Sequence, residues 1–136
     1  MARIQHIAFF TEDAERMAKF YCEVFGMKVT QRMDRTPESG SAVFITDGYM
    51  EVAIIEPFDP KSPKGINHFG FTIDPEERAG IMKRLGERGI SPITPPADRP
   101  YIEDAVKDVD GNKFDISTTG LRPQKEAAST ETAAAR

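Results

Sequence analysis

The chain has 136 residues, 39% of them apolar, a formal charge of −4 and a single cysteine, Cys22. This is about one domain's length, enough for a hydrophobic core without disulfides, and no apolar run approaches the roughly 20 residues of a membrane span. An acidic chain with dispersed lysines and arginines lacks the positive stripe that nucleic acid requires, and a lone cysteine with no signal peptide points to a reducing, cytoplasmic setting.

Arg3–Phe10 reads as a strand. Thr11-Glu12-Asp13 reads as a helix start, with carboxylates at the positive end of the dipole. Met17, Phe20, Tyr21, Val24 and Phe25 follow at helical spacing, and Gly26 stops the helix. Met27–Met33 is a second strand, Pro37–Gly40 a turn, and Ser41–Thr46 and Met50–Glu56 are strands joined at Asp47-Gly48. Pro57–Lys64, with three prolines, is a linker. Gly65–Ile73 is the next strand. Asp74-Pro75-Glu76-Glu77 opens a second helix, with Pro75 suited to its first turn, and Gly89 stops it. Ile90–Thr94, Ile102–Asp108 and Asn112–Thr118 are expected strands, the last two joined at Asp110-Gly111. Residues 121–136 have no apolar periodicity and are expected to form a disordered tail.

These elements form an internal repeat. Ile4-Gln5-His6-Ile7 returns as Ile66-Asn67-His68-Phe69, and the chain's two histidines occupy the same place in each copy. Each copy reads strand, helix, strand, strand, strand, an α+β arrangement of two βαβββ modules at about residues 1–57 and 65–120. Asp115 lies 47 residues after His68, and Ala53 lies 47 residues after His6. The turn signals align one residue differently, so Val52 is the alternative match to Asp115. Either way the first copy has no ligand there.

A single strand histidine is ordinarily structural. Two at matched positions, with an aspartate that strand interiors disfavour, point to a metal held by His6, His68 and Asp115. Two imidazoles and one carboxylate leave open positions, the facial arrangement that suits ferrous iron. Glu51 shares the strand parity of Ala53 and is displaced by about 6–7 Å along the strand; it is a candidate fourth ligand or base. Tyr101 and Arg99 fall in the loop before the seventh expected strand. Tyr101 could donate a proton or hydrogen bond to a ligand oxygen, and Arg99 could hold an anionic group. An interface tyrosine and a solvated arginine are the plain alternatives.

The motifs Ile4-Gln5-His6-Ile7, Phe20-Tyr21-Cys22-Glu23-Val24-Phe25-Gly26-Met27, Ile66-Asn67-His68-Phe69 and Asp108-Val109-Asp110-Gly111-Asn112-Lys113-Phe114-Asp115 resemble the vicinal oxygen chelate superfamily. That family includes glyoxalase I, extradiol dioxygenases, methylmalonyl-CoA epimerase and the fosfomycin and bleomycin resistance proteins. The resemblance covers the chain to about residue 120. It implies a cupped, partly closed mixed sheet with helices outside, one domain over residues 1–120, metal ligands at His6, His68 and Asp115, and a homodimer. Two departures stand out: the last ligand is usually glutamate, and the glyoxalase and epimerase branches place Glu or Gln where Ala53 stands. The absence at Ala53 favours a three-ligand site. The expected function is therefore a metal-dependent oxidoreductase, an extradiol-type dioxygenase acting on a small aromatic diol with Fe(II), or Mn(II) next. The alternatives are a glyoxalase- or epimerase-like lyase or isomerase with Glu51 as base, a thiol transferase acting on an antibiotic, and a metal-free binding protein of the bleomycin-resistance type.

Overall fold

A computed structural model describes residues 1–93 and 104–120. In chain order the elements are β1 (Arg3–Phe10), α1 (Ala14–Phe25), β2 (Lys28–Met33), β3 (Ser41–Thr46), β4 (Glu51–Glu56) and β5 (Gly65–Thr72). A 3-10 turn, Pro75–Glu77, then runs into α2 (Arg78–Gly86), followed by β6 (Asp104–Lys107) and β7 (Lys113–Ser117). The strands form one mixed sheet that is not closed, in the order β2-β3-β4-β1-β5-β7-β6. β1 runs parallel to β4, and β2–β3, β3–β4 and β6–β7 are antiparallel. Packing divides the chain into a unit of Ile4–Phe69 and a unit of Gly70–Arg136 with Met1–Arg3. None of the described helices is long and apolar enough to cross a membrane.

In the Ile4–Phe69 unit, local chemistry fixes α1 at both ends. The Asp13 side chain accepts the Arg16 N–H at 3.0 Å, satisfying one of the unpaired first-turn donors. Glu56 accepts the Ala14 N–H at 3.0 Å and the Ser41 hydroxyl at 2.8 Å, which ties the helix start to β3 and β4. Gly26 ends the helix at φ 72°, a conformation that only glycine adopts cheaply. The apolar stripe of α1 packs on one face of the sheet, where Ala14 and Ala18 meet Val43, Ile45 and Ile54, with Met17, Tyr21 and Val52 beside them. Alternation sends the neighbours of these strand residues to the other face. His6, Ala8, Phe44, Glu51 and Ala53 therefore share the face away from α1.

The other unit repeats the plan. Ile73, Val106 and Ile116 form its core, with Phe71, Ile81, Met82, Leu85 and Phe114 packed around them. The Glu77 side chain accepts the Asp74 N–H at 3.1 Å, one arm of a capping box. An aspartate anchors each Asp-Gly turn, Asp47 of the pair itself in the first and Asp108, two residues before Asp110-Gly111, in the second. Asp47 accepts the N–H groups of Met50 and Tyr49, which hold its carboxyl below the usual carboxylate range. The Asn112 side chain and backbone N–H do the same for Asp108.

Two expectations from the sequence are corrected here. The strand at Ile90–Thr94 is absent from its described part, Ile90–Ile93. Only Ile93 makes a bridge, to Ala105, while Ile90 packs into the α2 core. An apolar run needs a ladder partner to become a strand, and this one pairs at a single residue. α2 is also shorter than the glycine stop at Gly89 implied: it ends at Gly86, and a turn carries the chain to Gly89 at φ 72°. Arg99, Tyr101 and the tail 121–136 lie outside the described residues.

Candidate metal and proton-transfer site

β1 and β5 are neighbours in the sheet, and each carries one histidine. The rings of His6 and His68 lie edge to face, with centroids 5.6 Å apart and planes at 87°. His6 is only 2% exposed. The Nδ1 of His68 is 2.8 Å from the Asn67 Oδ1. A carbonyl oxygen only accepts, so this bond selects the tautomer with the proton on Nδ1. Nε2 then carries the ring's lone pair, the atom through which an imidazole supported in this way ligates a metal.

The register of the repeat settles what matches Asp115. The Thr11 N–H donates to the Ile55 carbonyl at 2.9 Å, and the Ile73 N–H donates to the Ser117 carbonyl at 2.9 Å. Both partners of the second bond lie 62 residues after those of the first. At that offset Asp115 matches Ala53, not Val52. Side-chain direction agrees: Val52 packs toward α1, whereas Ala53 faces away from it. On β7, Phe114 and Ile116 pack into the α2 core, so Asp115 between them faces away, opposite Ala105. Asp115 is partly buried.

Glu51 is the register partner of His6 across β1 and β4, and faces Thr46 across β3. Its Oε2 accepts the Thr30 hydroxyl at 3.2 Å. The expectation that Glu51 shares the face of Ala53 is met. It stands one ladder step along the strand from Ala53, the position equivalent to Asp115. Thr30 was not singled out in the sequence. It lies at a register shift in β2 between Val29 and Gln31, which no residue pattern announces.

Known proteins resemble this chain in fold. A hypothetical protein, BH1468, from Bacillus halodurans C-125 superposes with a TM-score of 0.68 at 17% identity, over 85% of this chain and 92% of that one. Methylmalonyl-CoA epimerase from Mycobacterium tuberculosis gives 0.66 at 12% identity, over 83% and 85%. In sequence, a probable chloroplastic lactoylglutathione lyase from Arabidopsis thaliana is 24% identical over 132 residues, 90% of this chain; the chain spans 37% of that protein's length. The named relatives are thus a lyase and epimerases. They overturn the expectation of an oxidoreductase that cleaves an aromatic diol. Three ligands rather than four had pointed to oxygen chemistry, but ligand number does not select a reaction, because one fold hosts many. The profile of the Glyoxalase/Bleomycin resistance protein/Dioxygenase superfamily matches residues 3–116, and the chain belongs to that superfamily.

Proposed function

We propose that this protein is a metal-dependent lyase or isomerase that moves a proton on and off a carbon beside a carbonyl. His6, His68 and Asp115 are its metal ligands and Glu51 is its base. The observation that carries the reading is the matched register of the two copies: the histidines are equivalent, and Asp115 occupies the place that Ala53 holds in the first copy. The three donors stand on β1, β5 and β7, which are consecutive in the sheet order. Among the described residues they are a His and carboxylate set of the composition that holds a metal ion.

The donor chemistry fits a divalent ion. Two neutral imidazoles and a carboxylate suit iron, manganese, zinc or nickel alike, and the Asn67 contact to His68 is the outer support such a ligand uses. A divalent ion held there supplies Lewis-acid polarisation of a substrate carbonyl. The chain's own part is the proton. Glu51 lies abreast of His6, on the face away from α1, and a hydroxyl donor orients its carboxylate. The proton leaves the substrate carbon for a Glu51 carboxylate oxygen. In a glyoxalase-type reaction Glu51 returns it to the neighbouring carbon; in an isomerase Glu51 keeps it and the opposite face of the original carbon takes a proton from solvent. The named relatives support this chemistry, because methylmalonyl-CoA and lactoylglutathione both have a C–H beside a thioester carbonyl. Arg99 serves the anionic end of such a substrate, and Tyr101 a hydrogen bond to its oxygen. Pairing of two copies belongs to the same reading, supported by the large apolar side chains Phe20, Val24 and Phe25 left exposed on α1.

Exchange of substrate hydrogen with solvent tests the reading. Methylmalonyl-CoA, and the hemithioacetal of methylglyoxal with glutathione, are incubated with the protein in D2O, and deuterium at carbon is followed by NMR. Glu51→Gln is expected to slow exchange by about 10²–10⁴-fold, the usual contribution of a general base. Full exchange in that variant would remove Glu51 from the role. A metal-free protein that exchanges neither probe would favour a sequestering protein instead.

A further inference from the structure

The β2 strand contains an irregularity with a chemical consequence. Val29 pairs with Ile45 and Gln31 pairs with Phe44, so Thr30 is an extra residue with no partner of its own in β3. Such a bulge re-aims a side chain, and bulges are over-represented beside active sites. Here the Thr30 hydroxyl lies 3.2 Å from Glu51 Oε2 and 3.3 Å from the Phe44 carbonyl oxygen. Val29 pairs with a residue packed toward α1, and Gln31 pairs with one on the opposite face, the face of Glu51 and His6. In an unbroken strand Thr30 would occupy the Phe44 pairing position and Gln31 would turn toward the helix. With the bulge, the Thr30 hydroxyl lies within reach of Glu51 and Gln31 also stays on the Glu51 face.

We propose that Thr30 is a positioning residue for Glu51, fixing the carboxylate that takes the substrate proton. This rests on the reading of Glu51 as the base. A hydroxyl has one hydrogen and here two acceptors. Donation to Glu51 holds the ionised carboxylate in one rotamer, and donation to the Phe44 carbonyl gives the hydroxyl a second resting place once the carboxylate carries the proton. Thr30 therefore follows the proton without receiving it. The β-branched side chain suits the task, because χ1 is restricted and the hydroxyl direction is set by the backbone. Serine keeps the donor with looser aim, and valine keeps the shape without the donor.

Two measurements on the full chain test this. In the first, Thr30→Val and Thr30→Ser are assayed for deuterium exchange into methylmalonyl-CoA and into the glutathione hemithioacetal. Valine is expected to lower kcat about tenfold, the worth of one hydrogen bond to a charged group, with KM within twofold of wild type. Serine is expected to restore at least half of the lost rate. In the second, the Glu51 side-chain carboxyl carbon is observed by NMR in carboxyl-labelled protein at fixed mildly alkaline pH, with no substrate present. Its resonance is expected to move in Thr30→Val and to return in Thr30→Ser. An unmoved resonance in Thr30→Val overturns the proposal whether or not either probe reacts. So does a valine variant with wild-type kcat in a protein that Glu51→Gln inactivates. A moved resonance, restored by serine, together with full exchange in Glu51→Gln, refutes Glu51 as the base while leaving the contact itself established.

Discussion

Gly40→Ala is expected to be among the most damaging single-methyl additions in the Ile4–Phe69 unit. Gly40 does not adopt a positive φ, so the backbone itself would tolerate alanine. The obstacle is space. A Cβ at this position would lie 1.9 Å from the Glu56 carbonyl oxygen and 3.0 Å from the Phe58 nitrogen. Ordinary contact needs about 3.5 Å, so the two backbone segments must part by roughly 1.5 Å. The segment that must move carries the Ser41–Glu56 pair at the end of the β3–β4 ladder. It also carries the Glu56 carboxylate, which accepts from Ala14 at 3.0 Å and from Ser41 at 2.8 Å. Overpacking of this kind costs about 1–3 kcal/mol, and each partly buried hydrogen bond that lengthens costs about 1 kcal/mol more. The expected destabilisation is therefore about 3 kcal/mol, read as a lower midpoint at unchanged slope in urea denaturation. Gly26→Ala is the internal control. Its Cβ would meet nothing within 4 Å, so it carries only the positive-φ penalty, about 1–2 kcal/mol. A Gly40→Ala protein within about 0.5 kcal/mol of wild type would refute the steric argument.

Acid should reveal the Asp108 turn. Contacts from Asn112 hold the folded carboxyl below its ordinary value of 3.8, so its stabilisation is present above that value and is lost as pH falls through the lower folded value. The melting-temperature gap between wild type and Asp108→Ala is expected to be full at neutral pH and to close in acid; a gap that persists in strong acid would contradict this. Arg78→Ala is expected to destabilise by about 1–2 kcal/mol in urea denaturation. It removes the guanidinium 2.7 Å from Asp104, a carboxylate only 7% exposed. The full penalty for breaking a buried pair, about 3–5 kcal/mol, is reduced because Arg78 is 45% exposed and its share of the pair is screened by water. An unchanged midpoint would mean that Asp104 does not depend on Arg78.

The elements that could be read from the sequence were those with punctuation. α1 has Asp13 at one end and Gly26 at the other, and its described bounds follow these two residues. β3 was legible to the residue because it lies between a turn and an Asp-Gly signal. The second helix was harder to bound. It begins with a 3-10 turn and ends at Gly86, and none of its residues is fully buried. Ile90–Thr94 misled because an apolar run carries no information about whether a partner strand lies beside it. The histidine pair was visible as a repeat, but the 62-residue offset needed the two matched hydrogen bonds, because turn residues alone allowed a one-residue slip. Thr30 was invisible, since a bulge depends on the partner strand. The reaction class is not legible for a different reason: Ala53 alone suggests oxygen chemistry, whereas the named relatives are a lyase and epimerases.

Metal content tests the central claim most directly. Wild-type protein and the variants His6→Ala, His68→Ala and Asp115→Ala are purified without chelators, incubated with excess manganese or zinc, desalted and analysed by inductively coupled plasma mass spectrometry. Wild type is expected to retain one divalent ion per chain, and each variant is expected to lose it while keeping the wild-type circular dichroism spectrum. Asp115→Ala retaining a full equivalent, or wild type retaining none, would contradict the account.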